Sequence, residues 1–255
     1  MDSGSLLATL AHEGEALADA ATGHLDRPVA ACPDWDVAQL VAHMGAVHAW
    51  VCQVVAAQGE RVARRSSEPT PDAPDALLAW YRSGLQPLVE ALSVDPDTPA
   101  WTFSPSAPDT VGWWLRRQSL ETALHRWDVQ AAVGSATGGS ATGGSATEPI
   151  AAELAVEGVD ELLTDFLPGR LASGPISALT GTLHLHATDT LGEWWLNFDS
   201  DGPQVRREHA KADTAVRGPA TGLYLWLWNR LTPEAAGLDV FGRTETIDAW
   251  RSVTI

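Results

Sequence analysis

Glu121 and His125, a carboxylate and an imidazole four residues apart, are the pair from which chemistry can first be argued. They stand in Leu120-Glu121-Thr122-Ala123-Leu124-His125-Arg126-Trp127-Asp128, within a run from Asp109 to Val133 whose apolar spacing predicts a helix. On a helix, residues one turn apart project from the same face. Asp128, seven positions after Glu121, falls on that face too. Such a pair suits a first-row metal ion, because both groups can bind it without bending the backbone. Taken alone, Glu-x-x-x-His is a weak pattern, and a solvated charged face beside Arg126 is the plain alternative. A third ligand is available upstream, in Cys32-Pro33-Asp34-Trp35-Asp36-Val37-Ala38-Gln39-Leu40-Val41-Ala42-His43. His43 lies near the apolar stripe of its predicted helix, where a histidine is more often a satisfied core residue than a ligand. Only the combination of His43 with Glu121 and His125 makes a three-ligand site. Three protein ligands leave a coordination position open, as catalytic rather than structural zinc requires.

Several helices must position these groups. Leu6 to Leu25 reads as a first helix, with Leu6, Leu10, Leu17 and Ala21 on one side. Asp36 followed by Gln39 fits a capping box, so a second helix starts there and runs to about Gln58 with Leu40, Val47, Val51 and Val54 inward. His48 falls on another side and reads as ordinary. Gln58 to Pro74 is a polar loop whose Arg61, Arg64 and Arg65 could reach a carboxylate; such arginines more often face water. Asp75 to Leu92 is a third helix, with Pro87 a candidate kink. The loop from Ser93 to Pro108 is anchored by Trp101 and Phe103. The fourth helix carries Trp113, Trp114 and the Glu121/His125 face. Four such helices suggest a four-helix bundle, a fold that builds metal sites from inward side chains on facing helices.

Residues 134–148 are dominated by repeated Gly-Ser-Ala-Thr, a low-complexity linker whose regularity fits an engineered insertion or a natural repeat expansion. They separate a domain over residues 1–133 from one over 149–255. In the second, Ile150 to Leu167 reads as a helix. The segments 182–187, 193–198, 203–208 and 213–217 read as strands. Pro219 to Leu231 is a Leu- and Trp-rich helix, and Thr244 to Arg251 is a short last one. The expectation is an α+β domain with an antiparallel sheet. His184 and His186 alternate onto one side of their strand and could bind a metal with Asp189, although a polar sheet face is the better reading.

The chain has 255 residues and a formal net charge of −17, which disfavours nucleic acid and anionic membranes as partners. Two cysteines, Cys32 and Cys52, make neither a disulfide framework nor a zinc ribbon. The N-terminus lacks a signal-peptide pattern, and no window approaches about 20 uninterrupted apolar residues. The expectation is a cytoplasmic protein, and a monomer. The twelve tryptophans are expected to fill core and line a pocket.

Pro33 to His43 and Glu121 to Asp128, as written above, resemble the mycothiol-dependent maleylpyruvate isomerase family, whose N-terminal domain is a DinB-like metal-binding four-helix bundle. Leu183-His184-Leu185-His186-Ala187-Thr188-Asp189, Val216-Arg217-Gly218-Pro219-Ala220, Leu225-Trp226-Leu227-Trp228 and Val240-Phe241-Gly242 resemble its C-terminal domain. The resemblance spans nearly the whole chain outside the linker. It implies zinc held by His43, Glu121 and His125, and mycothiol, a low-molecular-weight thiol, as cosubstrate. Nickel suits the same nitrogen and oxygen donors. The thiolate would attack an electrophilic small molecule. In isomerising members it adds across a conjugated double bond, the bond rotates, and the thiol is expelled; other members form stable conjugates. Asp128 matches a polar family position that orients a ligand or handles a proton. Arg217 matches an arginine that holds a substrate carboxylate. The sequence departs from the family pattern in its Gly-Ser-Ala-Thr repeats. It also has Arg243 where an acidic residue is expected after Gly242. Two readings outside thiol chemistry stand beside this one: a zinc-dependent bundle enzyme of a biosynthetic pathway that uses no thiol, and a metal- or ligand-binding module without catalysis.

Overall fold

The computed structural model describes residues 1–63, 70–136, 147–173, 179–199 and 203–252. The chain forms two compact units, Met1–Pro149 and Ile150–Ile255.

In the first unit four helices pack together: α1 (Ser3–Ala21), α2 (Val37–Ala56), α3 (Pro74–Leu92) and α4 (Val111–Ala136). The Asp2 side chain caps α1 by accepting the Ser5 N–H. The capping box at α2 is present in full. Gln39 N–H donates to Asp36 Oδ1 at 2.8 Å, and Asp36 N–H donates to Gln39 Oε1 at 2.9 Å, so two otherwise orphaned donors are satisfied. Pro74 opens α3, where its missing N–H costs no hydrogen bond. α1 lies against α4, and α2 against α3. Leu10 and Leu17 of α1, Leu40 and Met44 of α2, Tyr81 and Leu88 of α3, and Trp114 and Leu120 of α4 are fully buried or nearly so. Of the described helices, α2 alone is long and apolar enough to cross a membrane; its Val37, Leu40, Val41, Met44, Val51 and Val54 are core residues of this unit. Two faces of α2 are buried rather than the single stripe expected, and His48 is interior with them. Trp50, Trp101, Phe103, Trp113 and Trp114 stack edge to face with ring centroids 4.9–6.5 Å apart.

A buried ion pair joins α1 to α4. Arg126 Nε donates to Glu13 Oε2 at 2.6 Å and Arg126 Nη2 to Glu13 Oε1 at 3.3 Å. The remaining guanidinium nitrogen donates to Gln130 Oε1 and to the Glu148 carbonyl. Ser119 Oγ donates to the Leu6 carbonyl at 3.0 Å on the same helix pair. These contacts fix the rotation of α4 about its own axis, which decides where Glu121 and His125 point. α4 continues to Ala136, into the stretch read as linker; residues 137–146 of that stretch lie outside the described residues, as do Arg64 and Arg65.

The second unit begins with α5 (Ala152–Glu161), a π-helical turn (Leu162–Phe166) and α6 (Leu167–Ser173). Then come β1 (Thr182–Ala187), β2 (Glu193–Asn197), β3 (Gln204–Arg206), β4 (Thr214–Gly218), α7 (Ala220–Leu227), β5 (Asp239–Gly242) and α8 (Glu245–Trp250). The sheet order is β3-β2-β1-β4-β5. The α+β class is as expected, but the sheet is mixed. β1 pairs parallel with β4, while the other three pairings are antiparallel. After the β1-β2-β3 meander the chain returns to the far side of β1, and alternation of side chains along a strand carries no information about that return.

Directly paired residues share a sheet face. Leu183, Leu185, Trp194, Leu196 and Val216 form the buried face. α7 packs on β1 and β4, and α5 packs on α7. Gly158 permits the α5–α7 approach, since a Cβ there would lie 2.4 Å from the Tyr224 ring. The opposite face carries His184, His186, Glu193, Trp195 and Arg217.

Candidate functional site

The α4 frame and the start of α2 bring His43, Glu121 and His125 together. One ligand atom from each lies within 4.8 Å of the other two. His43 Nε2 is 3.7 Å from Glu121 Oε1, close to the about 3.3 Å edge of a tetrahedron with bonds near 2.0 Å. The His43 and His125 rings meet edge to face at 5.7 Å. The two oxygens of Glu121 are divided in their work. Oε2 takes Gln118 Nε2 at 3.2 Å and faces Arg117 Nε at 3.5 Å, which leaves Oε1 toward His43. Burial pushes the Glu121 carboxyl up, but Arg117, the hydrogen bond with His43, and the charge of His125 outweigh it. The net result holds Glu121 well below the usual carboxylate range. It is therefore anionic at neutral pH, as a metal ligand must be. The donor set of two imidazoles and one ionised carboxylate fits a zinc-like ion, and His43, Glu121 and His125 would hold it.

Asp128 lies behind His125. Its Oδ2 is 3.0 Å from His125 Nδ1, and its side chain is fully buried. A neutral His125 with its proton on Nδ1 donates to this carboxylate and presents Nε2 as the free ligand atom. Asp128 thus lies beside the His125 nitrogen that faces away from a metal bound at Nε2.

Three further residues border the site that spacing alone did not mark. Cys32 offers its sulfur within 4.8 Å of ligand atoms of His125 and Asp128, and the Trp35 ring is 4.9 Å from that of His43. Both come from the turn before α2. That turn is tied by Val29 N–H to the Trp35 carbonyl and Trp35 N–H to the Cys32 carbonyl, with Asp34 in the left-handed region at φ 73°. His48, read as ordinary, is completely buried. Its Nε2 sits 3.3 Å from Thr122 Oγ1, and burial pushes its pKa down to about 4. The signal for His48 was its place four residues after Met44, on the second apolar side of α2. Cys32 and Trp35 had no periodic signal, because a turn places them.

Arg217 belongs to the second unit. It lies exposed on β4, paired in register with His186 on one side and Asp239 on the other. Arg61, in the polar loop, stacks its guanidinium over Trp101 at 5.3 Å.

A helical unit that gathers two imidazoles and a carboxylate, followed by an α+β unit, defines a two-domain protein with a three-donor centre in its helical half. Its sequence matches the Mycothiol maleylpyruvate isomerase N-terminal domain over residues 6–130 and the MDMPI C-terminal domain over residues 153–249. The chain belongs to the mycothiol-dependent maleylpyruvate isomerase family. Its fold is similar to a crystal structure of the mycothiol-dependent maleylpyruvate isomerase, with a TM-score of 0.60 at 14% identity over 94% of this chain and 93% of that one. A second crystal structure, of a histidine-to-alanine mutant of the mycothiol-dependent maleylpyruvate isomerase, is equally similar at 13% identity. No curated protein matches the sequence.

Proposed function

We propose that the protein is a metal-dependent enzyme that uses a low-molecular-weight thiol, mycothiol, as nucleophile on an electrophilic small molecule. The reaction is an S-transfer or a cis–trans isomerisation of the maleylpyruvate type. The observation that carries this reading is the convergence of His43, Glu121 and His125 with Asp128 behind His125, in a chain of this family. A zinc ion bound by these three residues would supply Lewis acidity and make a coordinated thiol acidic near neutral pH.

The chain's own residues have separable tasks. Arg117 and Gln118 steady one oxygen of Glu121, and the Arg117 charge helps keep the carboxylate anionic. Asp128 holds the His125 proton on Nδ1 and is a positioning residue. Cys32 and Trp35 wall the site from the turn before α2. Arg217 is the proposed partner for a substrate carboxylate, a role that suits a planar guanidinium with forked donors. In an isomerisation, the thiolate electron pair forms a C–S bond at the end of the conjugated double bond, and the π electrons move onto the adjoining carbonyl. The former double bond rotates as a single bond, and collapse of the enolate expels the same thiolate. In a transfer the enolate is protonated and the C–S bond remains.

Zinc analysis of the purified chain beside His43→Ala and His125→Ala, followed by turnover assays with and without mycothiol, tests the proposal. It expects zinc at this centre, lost in both variants, and turnover that needs the thiol. Turnover without thiol would move the assignment to another metal-dependent reaction. Zinc binding unaltered in both variants would sink the centre altogether.

A further inference from the structure

The second unit holds another convergence of metal-type donors, on the polar face of its sheet. One ligand atom from each of His184, Glu193 and His209 lies within 4.8 Å of the other two. His184 stands on β1 and Glu193 on the adjacent β2. His209 comes from the loop after β3 and folds back over the same face. His209 Nδ1 is 3.0 Å from Glu193 Oε1. His186, directly opposite Glu193 in the β1–β2 register, places its Nδ1 2.9 Å from that same oxygen. The His184 ring lies 5.1 Å from that of His209 and 6.1 Å from that of His186. Three imidazoles thus surround one carboxylate.

A sheet face can be polar without binding anything, and two histidines on one glutamate can be plain hydrogen bonds. One atom argues against that reading here. His184 is 93% buried, and its Nε2 has no hydrogen-bond partner among the described residues. A buried polar nitrogen without a partner is rare and needs an explanation. The segment carrying His209 is also held in place rather than left to the solvent. The Trp195 Nε1–H donates to the Lys211 carbonyl at 3.3 Å, Arg206 stacks over the Trp195 ring at 5.0 Å, and Arg207 Nη1 pairs with Asp160 Oδ2 at 2.8 Å.

We infer that His184, Glu193 and His209 form a second site for a divalent transition-metal cation of the zinc type, with His186 holding the Glu193 carboxylate in position. The donors are two imidazole nitrogens and one carboxylate oxygen, a set that selects borderline cations such as zinc over calcium or magnesium. The site needs little rearrangement. His209 exchanges its hydrogen bond to Glu193 for a bond to the metal, and its Nδ1 proton moves to Nε2 through solvent, so the ring stays neutral. His186 keeps its place 2.9 Å from the same carboxylate oxygen, as an outer partner of a ligating carboxylate does. The inference is independent of the helical centre and of the thiol chemistry proposed for it.

The test is zinc stoichiometry and affinity of the full chain, stripped with a chelator and titrated with Zn2+ alone. The variants are His209→Ala, Glu193→Gln and His186→Ala in the second unit, and His125→Ala in the first. His209 is 74% exposed, so its replacement does not threaten folding. The expectation is a zinc equivalent whose Kd rises more than about 100-fold in His209→Ala and Glu193→Gln, and about 10–100-fold in His186→Ala, while His125→Ala leaves it in place. Loss of an equivalent in His125→Ala with no change in the three sheet variants would overturn this inference and spare the helical centre. The reverse pattern would support the sheet site and count against the helical one. No zinc equivalent sensitive to His209 and Glu193 means the face is a hydrogen-bonded polar surface only.

Discussion

Two histidine–carboxylate clusters in one chain differ in how they are built. The helical cluster draws its ligands from positions 43, 121 and 125 on two helices, with its carboxylate flanked by the buried Arg117 and its histidine backed by the buried Asp128. The sheet cluster draws from neighbouring strands and a loop, around the half-exposed Glu193 and the exposed His209. In the first, surrounding charges decide the protonation state of the glutamate before any ligand arrives. In the second, solvent shares that task, with the hydrogen bond from His209 the largest protein contribution and His186 beside the same oxygen at 2.9 Å. The contrast teaches that the same donor types can make a preorganised, electrostatically tuned centre or a looser, accessible one. The elements behind the ligands decide which.

The comparison breaks most readily at the frame of the helical cluster. Arg126 and Glu13 are both buried and bidentate, so Arg126→Ala leaves a carboxylate buried without its partner. Chemical denaturation is expected to show a loss of about 3–5 kcal/mol. Replacing both, as Arg126→Met with Glu13→Leu, restores much of that stability, because burying the pair already carries a large desolvation cost. A single variant as stable as the parent would mean that the pair does not fix α4.

The buried histidine next to this cluster gives the next largest effect. His48 is pushed down to about 4 by burial, with Glu121 opposing and His43 reinforcing the shift. Below its ordinary value of 6.5 the unfolded chain takes up a proton that the folded chain refuses. The stability tied to a neutral His48 is therefore complete above pH 6.5 and is lost as pH falls from there toward 4, by about 3 kcal/mol in all. Urea unfolding of the chelator-treated protein at pH 7 and pH 5 should show this slope, and His48→Gln should flatten it. An unchanged slope in His48→Gln would assign the acid sensitivity elsewhere.

Much of this architecture was legible before any coordinates, for identifiable reasons. The capping box at Asp36 and Gln39 marked the start of α2, since both partners lie within four residues. His43, Glu121, His125 and Asp128 could be grouped because helix periodicity puts the last three on one face. The π turn after α5 and the four-residue edge strand β5 were missed, being too short to impose a period. The parallel β1–β4 pairing depends on contacts more than 30 residues apart. His184 and His186 were seen as neighbours, but Glu193 was read only as the start of a strand. His209 lies in a loop whose return over the sheet no local pattern records. Cys32 and Trp35 escaped in the same way, through a turn.

Asp128 sharpens the comparison from the ligand side. Asp128→Asn keeps the shape but removes the anion that fixes the His125 tautomer. Zinc affinity at the helical centre is expected to fall by about 10–100-fold, with the fold intact by circular dichroism and zinc at the sheet cluster unchanged. If both zinc affinities stay at the parent value, Asp128 is a structural residue and His125 is oriented by something else.

The smallest expected effect concerns what holds the sheet cluster together. Arg207 stacks over Trp194 at 5.3 Å and pairs with Asp160 at 2.8 Å, while Trp194 Nε1–H donates to the same carboxylate at 2.7 Å. Arg207 is half exposed, so solvent weakens both its contacts. Arg207→Ala should lower global stability by only about 0.5–1 kcal/mol. Its consequence should be local, because His209 follows two residues later in the chain. Freeing that segment raises the entropy lost when His209 joins His184 and Glu193 around an ion, so zinc binding at the sheet cluster should weaken while the helical centre keeps its affinity. Arg207→Lys, which retains the charge but loses the planar stack, should fall between the two. Equal weakening at both clusters would trace the effect to general destabilisation. A change confined to the sheet cluster would show that a loosely built site depends on the anchoring of its loop, as the helical one depends on the anchoring of α4.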